Sequence, residues 1–168
     1  MVDKNGSLLS LVLICLTIFI LSGCQTKNME KENQLVYAFR LKPGADLKEE
    51  IEQQVKIHNI KAGWVATCVG SLTEYTIRFA NQPEGSIGNG HFEIVSLVGT
   101  VSVNGSHLHL SISDSTGHTI GGHLMKGCKI YTTAEIVLQA TDKYEFAREK
   151  DGSTPWEELQ VIPKKTAN

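Results

Sequence analysis

Polar and apolar residues alternate along most of the chain from residue 35 onwards, which is the pattern of half-buried β-strands. The first predicted strand is Leu35–Leu41, and Pro43-Gly44 ends it. A turn at Gly70-Ser71 is expected to separate two further strands, and a loop is expected over residues 81–90. The other predicted strands cover residues 64–69, 74–79, 91–103 in two pieces, 107–113, 120–125 and 129–138.

One segment has the periodicity of a helix instead. Apolar residues recur at Leu47, Ile51 and Val55, with polar residues between them. Asp46 precedes this run and is followed three residues later by a glutamate, which is the pattern of a helix N-cap. The sequence therefore predicts an amphipathic helix from Leu47 to about Ile60.

About eight strands and one helix indicate an α+β domain: an antiparallel-rich sheet of about seven or eight strands with one main helix packed on it. The chain has 168 residues, of which 41% are hydrophobic and 20% charged, so one folded domain is expected. We assign residues 34–163 to that domain and residues 164–168 to a C-terminal tail. The formal net charge of −2 argues against a nucleic-acid partner, which would require clustered cations.

The N-terminal segment is expected to be an export signal. The run Leu8–Leu21 is apolar and too short for an ordinary membrane span, and it ends in Leu21-Ser22-Gly23-Cys24. This ending resembles a bacterial lipobox, which implies a lipoprotein signal peptide over residues 1–23 and a lipid on Cys24. Residues 24–33 would then be a flexible tether. The alternative is an uncleaved helical anchor; both place the domain on the extracytoplasmic side of a membrane in the bacterial cell envelope.

Histidines are concentrated in one part of the chain. Five of the six lie between His91 and His123. Side chains alternate in a strand, so His107 and His109 should share the face opposite Leu108. A three-residue turn over residues 115–117, with Gly117 in the left-handed conformation, would place His123 directly across from His109. A two-residue turn, or a bulge at Gly121-Gly122, would change that register.

Three imidazoles on adjacent strands can form a site for a divalent metal. Zinc accepts three histidine ligands and keeps a fourth position for water, an arrangement typical of catalytic sites. The alternative is a solvated polar strand face without a metal. Glu93 and Glu135 are weak candidates for a general base or for orienting a ligand histidine. The favoured alternative for each is an ordinary buried acid paired with Arg78 or with a backbone amide. Cys68 and Cys128 could form a disulfide or remain isolated thiols.

Several of these segments together resemble the plant and prokaryote conserved (PPC) domain family. The resemblance covers roughly residues 34–162. It rests on the segments Gly90–Gly99, His107-Leu108-His109 with Ser111, Ser113 and Asp114, then Gly117, Gly121–Leu124, Gly127-Cys128 and Thr133–Ile136.

The resemblance implies a compact α+β domain that assembles as a homotrimer. Its prokaryotic members with this histidine pattern resemble metal-containing proteins. The resemblance therefore implies that His107, His109 and His123 bind a divalent metal, with zinc as the first candidate. Plant members bind DNA through added AT-hooks, which this sequence lacks, so DNA binding is not expected.

Three functions follow as hypotheses. The first is a membrane-anchored module that binds a metal and senses or binds an unidentified small molecule. The second is a metal-dependent hydrolase that uses a metal-activated water. The third is a metal-free trimeric interaction protein.

Overall fold

The structure, a computed structural model, describes residues 34–165. It contains one helix and eight strands in this part of the chain. The helix α1 is Leu47–Ile57, and the strands are β1 Gln34–Leu41, β2 Gly63–Arg78, β3 Ser86–Ser102, β4 Gly105–Ser113, β5 Thr119–Leu124, β6 Lys129–Thr141, β7 Tyr144–Glu149 and β8 Glu158–Pro163. Cys24, the predicted signal peptide and the predicted tether lie outside the described residues.

The strands form two antiparallel sheets. Six of them pair in the order β1-β6-β2-β3-β4-β5, and β7 pairs with β8 in a separate two-stranded sheet. The last part of β2 also pairs with β5, through Ile77 opposite Leu124 and Arg78 opposite His123. Strands β2, β3, β4 and β5 therefore close into a ring of pairings. The predicted α+β fold with about eight strands and one helix is confirmed. Within the described residues, no helix is long and apolar enough to cross a membrane.

The helix begins where the sequence predicts. Asp46 is its N-cap: one carboxylate oxygen accepts hydrogen bonds from the backbone N–H groups of Lys48 and Glu49. The other oxygen accepts a bond of 2.7 Å from the N–H of Gly127. Helix α1 ends at Ile57, three residues before the predicted end, because Asn59 adopts a left-handed conformation with φ 48°. Its buried face consists of Leu47, Ile51 and Val55.

The predicted turn at Gly70-Ser71 is wrong. Strand β2 continues through these residues, with irregular pairing on either side of Leu72. Gly70 is needed for a close approach between strands rather than for a turn, because a Cβ there would overlap the carbonyl oxygen of Thr133 on β6.

The predicted loop over residues 81–90 is also too long. Strand β3 begins at Ser86 and runs unbroken to Ser102, so the two predicted pieces are one strand. Gly88 lies opposite Tyr75 on β2, and the tyrosine ring occupies the space that a side chain at Gly88 would need. Gly88 therefore accommodates an aromatic ring on the neighbouring strand rather than forming a loop.

The C-terminal strands attach to the main sheet near the β3–β4 hairpin. The side chain of Ser102 donates a hydrogen bond of 3.0 Å to the carbonyl oxygen of Phe146 on β7. Arg148, also on β7, donates one of 2.7 Å to the hydroxyl of Thr100 on β3. Thr100 lies opposite His107, so the β7–β8 hairpin is anchored beside the histidine-rich strand.

Candidate metal centre

Strand β4 separates its apolar and imidazole side chains as predicted. Leu108, Leu110 and Ile112 are at most 3% exposed and belong to the hydrophobic core. His107 and His109 point to the opposite, exposed face. Burial of the leucine and isoleucine side chains therefore fixes which way the two imidazoles point.

The β4–β5 turn sets the register that brings in the third histidine. The N–H of Asp114 donates to the carbonyl oxygen of His118, closing a three-residue turn in which Gly117 has φ 84°. The Asp114 carboxylate accepts hydrogen bonds from the backbone N–H groups of Thr116 and His118, which stabilises the turn. His109 lies directly opposite His123, as predicted.

The three imidazoles converge on one small volume. One ring nitrogen from each of His107, His109 and His123 lies within 4.8 Å of the other two. Nε2 of His107 and Nδ1 of His123 are 3.1 Å apart. Ligand nitrogens around a tetrahedral zinc are about 3.4 Å apart, as follows from Zn–N bonds of about 2.0–2.1 Å. Small ring rotations would thus suffice to place three nitrogens around one ion, so the donor set fits a metal with an open fourth position.

The surroundings shift two of these rings towards the neutral form by lowering their pKa values. Partial burial lowers the pKa of His107, and the nearby positive charges of His109 and Arg148 lower it further, while Glu158 acts in the opposite direction. Partial burial and then the charge of Arg78 lower the pKa of His123. Neutral imidazole is the form that binds metals, so both shifts favour coordination at neutral pH.

The glycine pair before His123 permits strand closure rather than a bulge. Pairing between β4 and β5 is continuous from His109–His123 to Ser113–Thr119. A Cβ at Gly122 would lie 2.5 Å from the carbonyl oxygen of Arg78. Only glycine therefore lets β5 approach the end of β2 closely enough to place His123 beside Arg78.

The two carboxylates proposed from the sequence lie elsewhere on the sheet. Glu93 is exposed and opposite Ser113, four residues along β4 from His109, which corresponds to about 13 Å of strand. Glu135 is exposed on β6, opposite Arg40 of β1. In the described part of the chain, no ion pair joins either residue to Arg78. The structure thus does not bring them to the three histidines.

An open cleft beside His123 was not predicted from the sequence. It has a volume of about 590 Å³. We call it the Arg78 cleft; its lining residues are Arg78, Asn81, Gln82, Pro83, His123, Trp156, Glu157 and Glu158. The guanidinium carbon of Arg78 lies 5.6 Å from the centre of the Trp156 ring. No short motif could reveal this cleft, because its residues come from segments far apart in the sequence.

The other candidate groups lie outside the histidine cluster. The ring of His91 packs against that of Tyr131 in a tilted arrangement, with centroids 4.3 Å apart. His118 is exposed on the β4–β5 turn. Cys68 and Cys128 are free thiols, and burial raises their pKa values to about 12 and about 11. Of the alternatives left open by the sequence, the structure has isolated thiols rather than a disulfide.

Comparisons with known proteins agree with this architecture. A profile of the Plants and Prokaryotes Conserved (PCC) domain matches residues 29–142. The chain is 44% identical over 128 residues to a bifunctional protein GlmU from Synechococcus, covering 76% of this chain. A second Synechococcus GlmU is 45% identical over 126 residues. The chain spans only about 20% of the length of these relatives.

Solved structures share the same fold. A hypothetical protein from Salmonella enterica superposes with a TM-score of 0.78 at 35% identity, covering 80% of this chain and 97% of that one. A PPC protein from Pyrococcus horikoshii gives 0.59 at 29% identity, covering 75% and 93%. A metal-containing protein from Archaeoglobus fulgidus gives 0.65 at 23% identity, covering 75% and 93%, and is evidence for the fold alone.

Proposed function

We propose that this chain, which belongs to the Plants and Prokaryotes Conserved (PPC) domain family, binds a divalent metal through His107, His109 and His123. The observation that carries the proposal is the convergence of three ring nitrogens within 4.8 Å. The Archaeoglobus fulgidus protein that shares this fold is itself metal-containing, which is consistent with the proposal. Three imidazoles suit zinc, copper, iron and nickel; zinc is our first choice because it readily accepts three protein ligands and one exchangeable position.

The proposed role is that of a binding or sensing module. When bound, the metal would supply a Lewis-acidic position that an external ligand can occupy. The protein residues would hold the site in one geometry: the buried leucines of β4 orient two histidines, and the β2–β5 pairing orients the third. The ligand would enter from the Arg78 cleft, because His123 lines it.

Elemental analysis of tag-free protein tests the metal assignment. We expect about one zinc per chain. Removal of a residue that only hydrogen-bonds to a metal ligand already lowers metal affinity about 10–100-fold, so His123→Ala, which removes a ligand, should lower zinc affinity at least about 100-fold. His118→Ala is the matched control, because His118 lies on the same hairpin but outside the cluster. Equal metal content in wild type and a triple alanine variant of the three histidines would refute the proposed ligands.

A hydrolase is the second candidate, favoured by one carboxylate. Glu158 lines the same cleft as His123 and interacts electrostatically with His107. A base in such a position could take a proton from a metal-activated water. A hydrolase of this kind would lose turnover in Glu158→Gln while keeping its metal. Unchanged turnover of an ester substrate in that variant would exclude Glu158 from this role.

We also propose that the domain assembles as a homotrimer. Val69, Val95 and Val98 are 58%, 58% and 53% exposed on the adjacent strands β2 and β3. Apolar side chains grouped on a surface favour contact with another chain. Light scattering of the purified domain is expected to give three times the chain mass, and Val69→Glu is expected to reduce it. A monomeric wild type would refute the proposal and leave these side chains without a partner.

Finally, we propose that Cys24 carries a lipid that anchors the domain to a membrane, facing the extracytoplasmic side of the bacterial cell envelope. The lipobox-like ending of the apolar run supports this, and multiple acyl chains would give stable anchoring. Labelled palmitate should be incorporated into the wild type and into Cys15→Ala, the control within the apolar run. Incorporation that persists in Cys24→Ala would remove the lipoprotein assignment.

A further inference from the structure

The Arg78 cleft contains positive charge that the protein itself does not neutralise by contact. Arg78 is half-buried, and its guanidinium donates a hydrogen bond of 3.3 Å to the carbonyl oxygen of Gln82. Among the described residues, no carboxylate lies within ion-pair distance of Arg78 or of Arg148. A partly buried guanidinium without a carboxylate retains donors for an external anion.

Both guanidinium groups are close to the histidine cluster. Arg148 donates a hydrogen bond to Thr100, which lies opposite His107 in the β3–β4 pairing. Arg78 also lies directly opposite His123 in the β2–β5 pairing. The opposing charges are Glu157 and Glu158, and Glu158 accepts a hydrogen bond of 2.6 Å from Thr154. With a divalent metal on the histidines, positive charge would exceed negative charge here.

An aromatic surface lies next to these charges. Trp156 is 62% exposed, which is unusual for the largest side chain, and it lines the cleft. One of its faces contacts Arg78 at 5.6 Å, a cation–π distance. The remaining exposed surface is available for an apolar or planar group.

We propose that Arg78 and Trp156 form a binding site for a small organic oxyanion next to the metal, a molecule with a phosphate or carboxylate group on a planar or apolar body. The inference rests on the proposed metal site and adds to it the chemical class of the ligand. Arg78 would donate N–H···O bonds to the oxyanion, and the metal held by the three histidines would supply a second point of attachment for it. Trp156 would contact the body of the ligand.

Cobalt-loaded protein tests this site with two probes, inorganic phosphate and phenyl phosphate. Binding is followed by the visible absorption of cobalt and, in a Trp64→Phe background, by the fluorescence of Trp156. We expect Arg78→Gln to weaken phosphate binding at least tenfold, about 1.4 kcal/mol, with cobalt content unchanged. Arg40→Gln, on exposed β1, is the matched arginine control. Phenyl phosphate should bind about fivefold more tightly than phosphate, and Trp156→Ala should abolish that difference.

The outcomes separate the two proposals. A protein that takes up no cobalt refutes the metal site and the oxyanion site together. A cobalt-loaded protein that responds to neither probe, or responds equally in Arg78→Gln and Arg40→Gln, refutes the oxyanion site alone. Should Arg78→Gln lose its cobalt, Arg78→Lys takes its place: this variant keeps the charge but lacks the forked donors, so wild-type phosphate affinity in it would overturn the assignment.

Discussion

Gly122→Ala tests how the fold builds the site. In an ordinary strand, replacing glycine by alanine stabilises a protein by about 0.5–1 kcal/mol. At Gly122 we expect the opposite sign, because the added Cβ would lie 2.5 Å from the carbonyl oxygen of Arg78 and 3.0 Å from a methyl carbon of Ile77. Overpacking of this kind costs about 1–3 kcal/mol. The net expectation is a loss of about 1–2 kcal/mol.

The strain should be relieved at one particular place. Only two residue pairs join β2 to β5, and a hydrogen bond contributes only about 0.5–1.5 kcal/mol, so this short pairing is the element expected to yield. His123 would then move away from Arg78, and the affinity for metal should fall together with the stability.

Urea unfolding and zinc titration of Gly122→Ala measure both effects. Gly121→Ala is the neighbouring control, because the atoms nearest to its Cβ would belong to Leu110 and Ser111 of β4, at 3.0 Å or more. We expect it to retain metal affinity. A Gly122→Ala protein that is as stable as the wild type, with the same zinc affinity, would show that the close approach of β5 to β2 does not position His123.

Three further predictions concern stability and thiol chemistry. Asp46→Ala should lower the free energy of unfolding in urea by about 2–4 kcal/mol, because a helix cap and a charge-assisted hydrogen bond are lost together; a loss under 0.5 kcal/mol would contradict this. Metal-free protein should lose stability as pH falls below the ordinary histidine value of 6.5, since the lowered pKa values of His107 and His123 let the unfolded chain bind protons first; a double glutamine variant should flatten this dependence. Cys68 and Cys128, with pKa values raised to about 12 and about 11, should react slowly with a thiol reagent at pH 8 until urea unfolds the chain; rapid labelling of native protein would refute their burial.

The parts of the fold that depend on local pattern could be predicted from the sequence. The helix start at Asp46 and the β4–β5 register both depend on residues within one hairpin or one turn. The errors occurred where a distant strand determined the conformation. The sequence pattern predicts a turn at Gly70, whereas this glycine lets β6 approach β2. A glycine appears in the sequence both where the chain turns and where another strand approaches closely, so the sequence pattern alone does not distinguish the two.

The same distinction applies to the site. The histidines come from a single hairpin of β4 and β5, where period-two alternation and one turn determine their geometry. The Arg78 cleft requires β2, β5 and the segment before β8 to meet, which depends on tertiary structure alone. A triad encoded locally can persist while the surrounding cleft changes through substitutions elsewhere in the chain. The proposed metal site depends on a locally encoded hairpin, whereas the proposed contacts of Arg78 and Trp156 depend on the tertiary cleft. The choice of ligand is therefore the part that we expect to differ between this chain and its relatives.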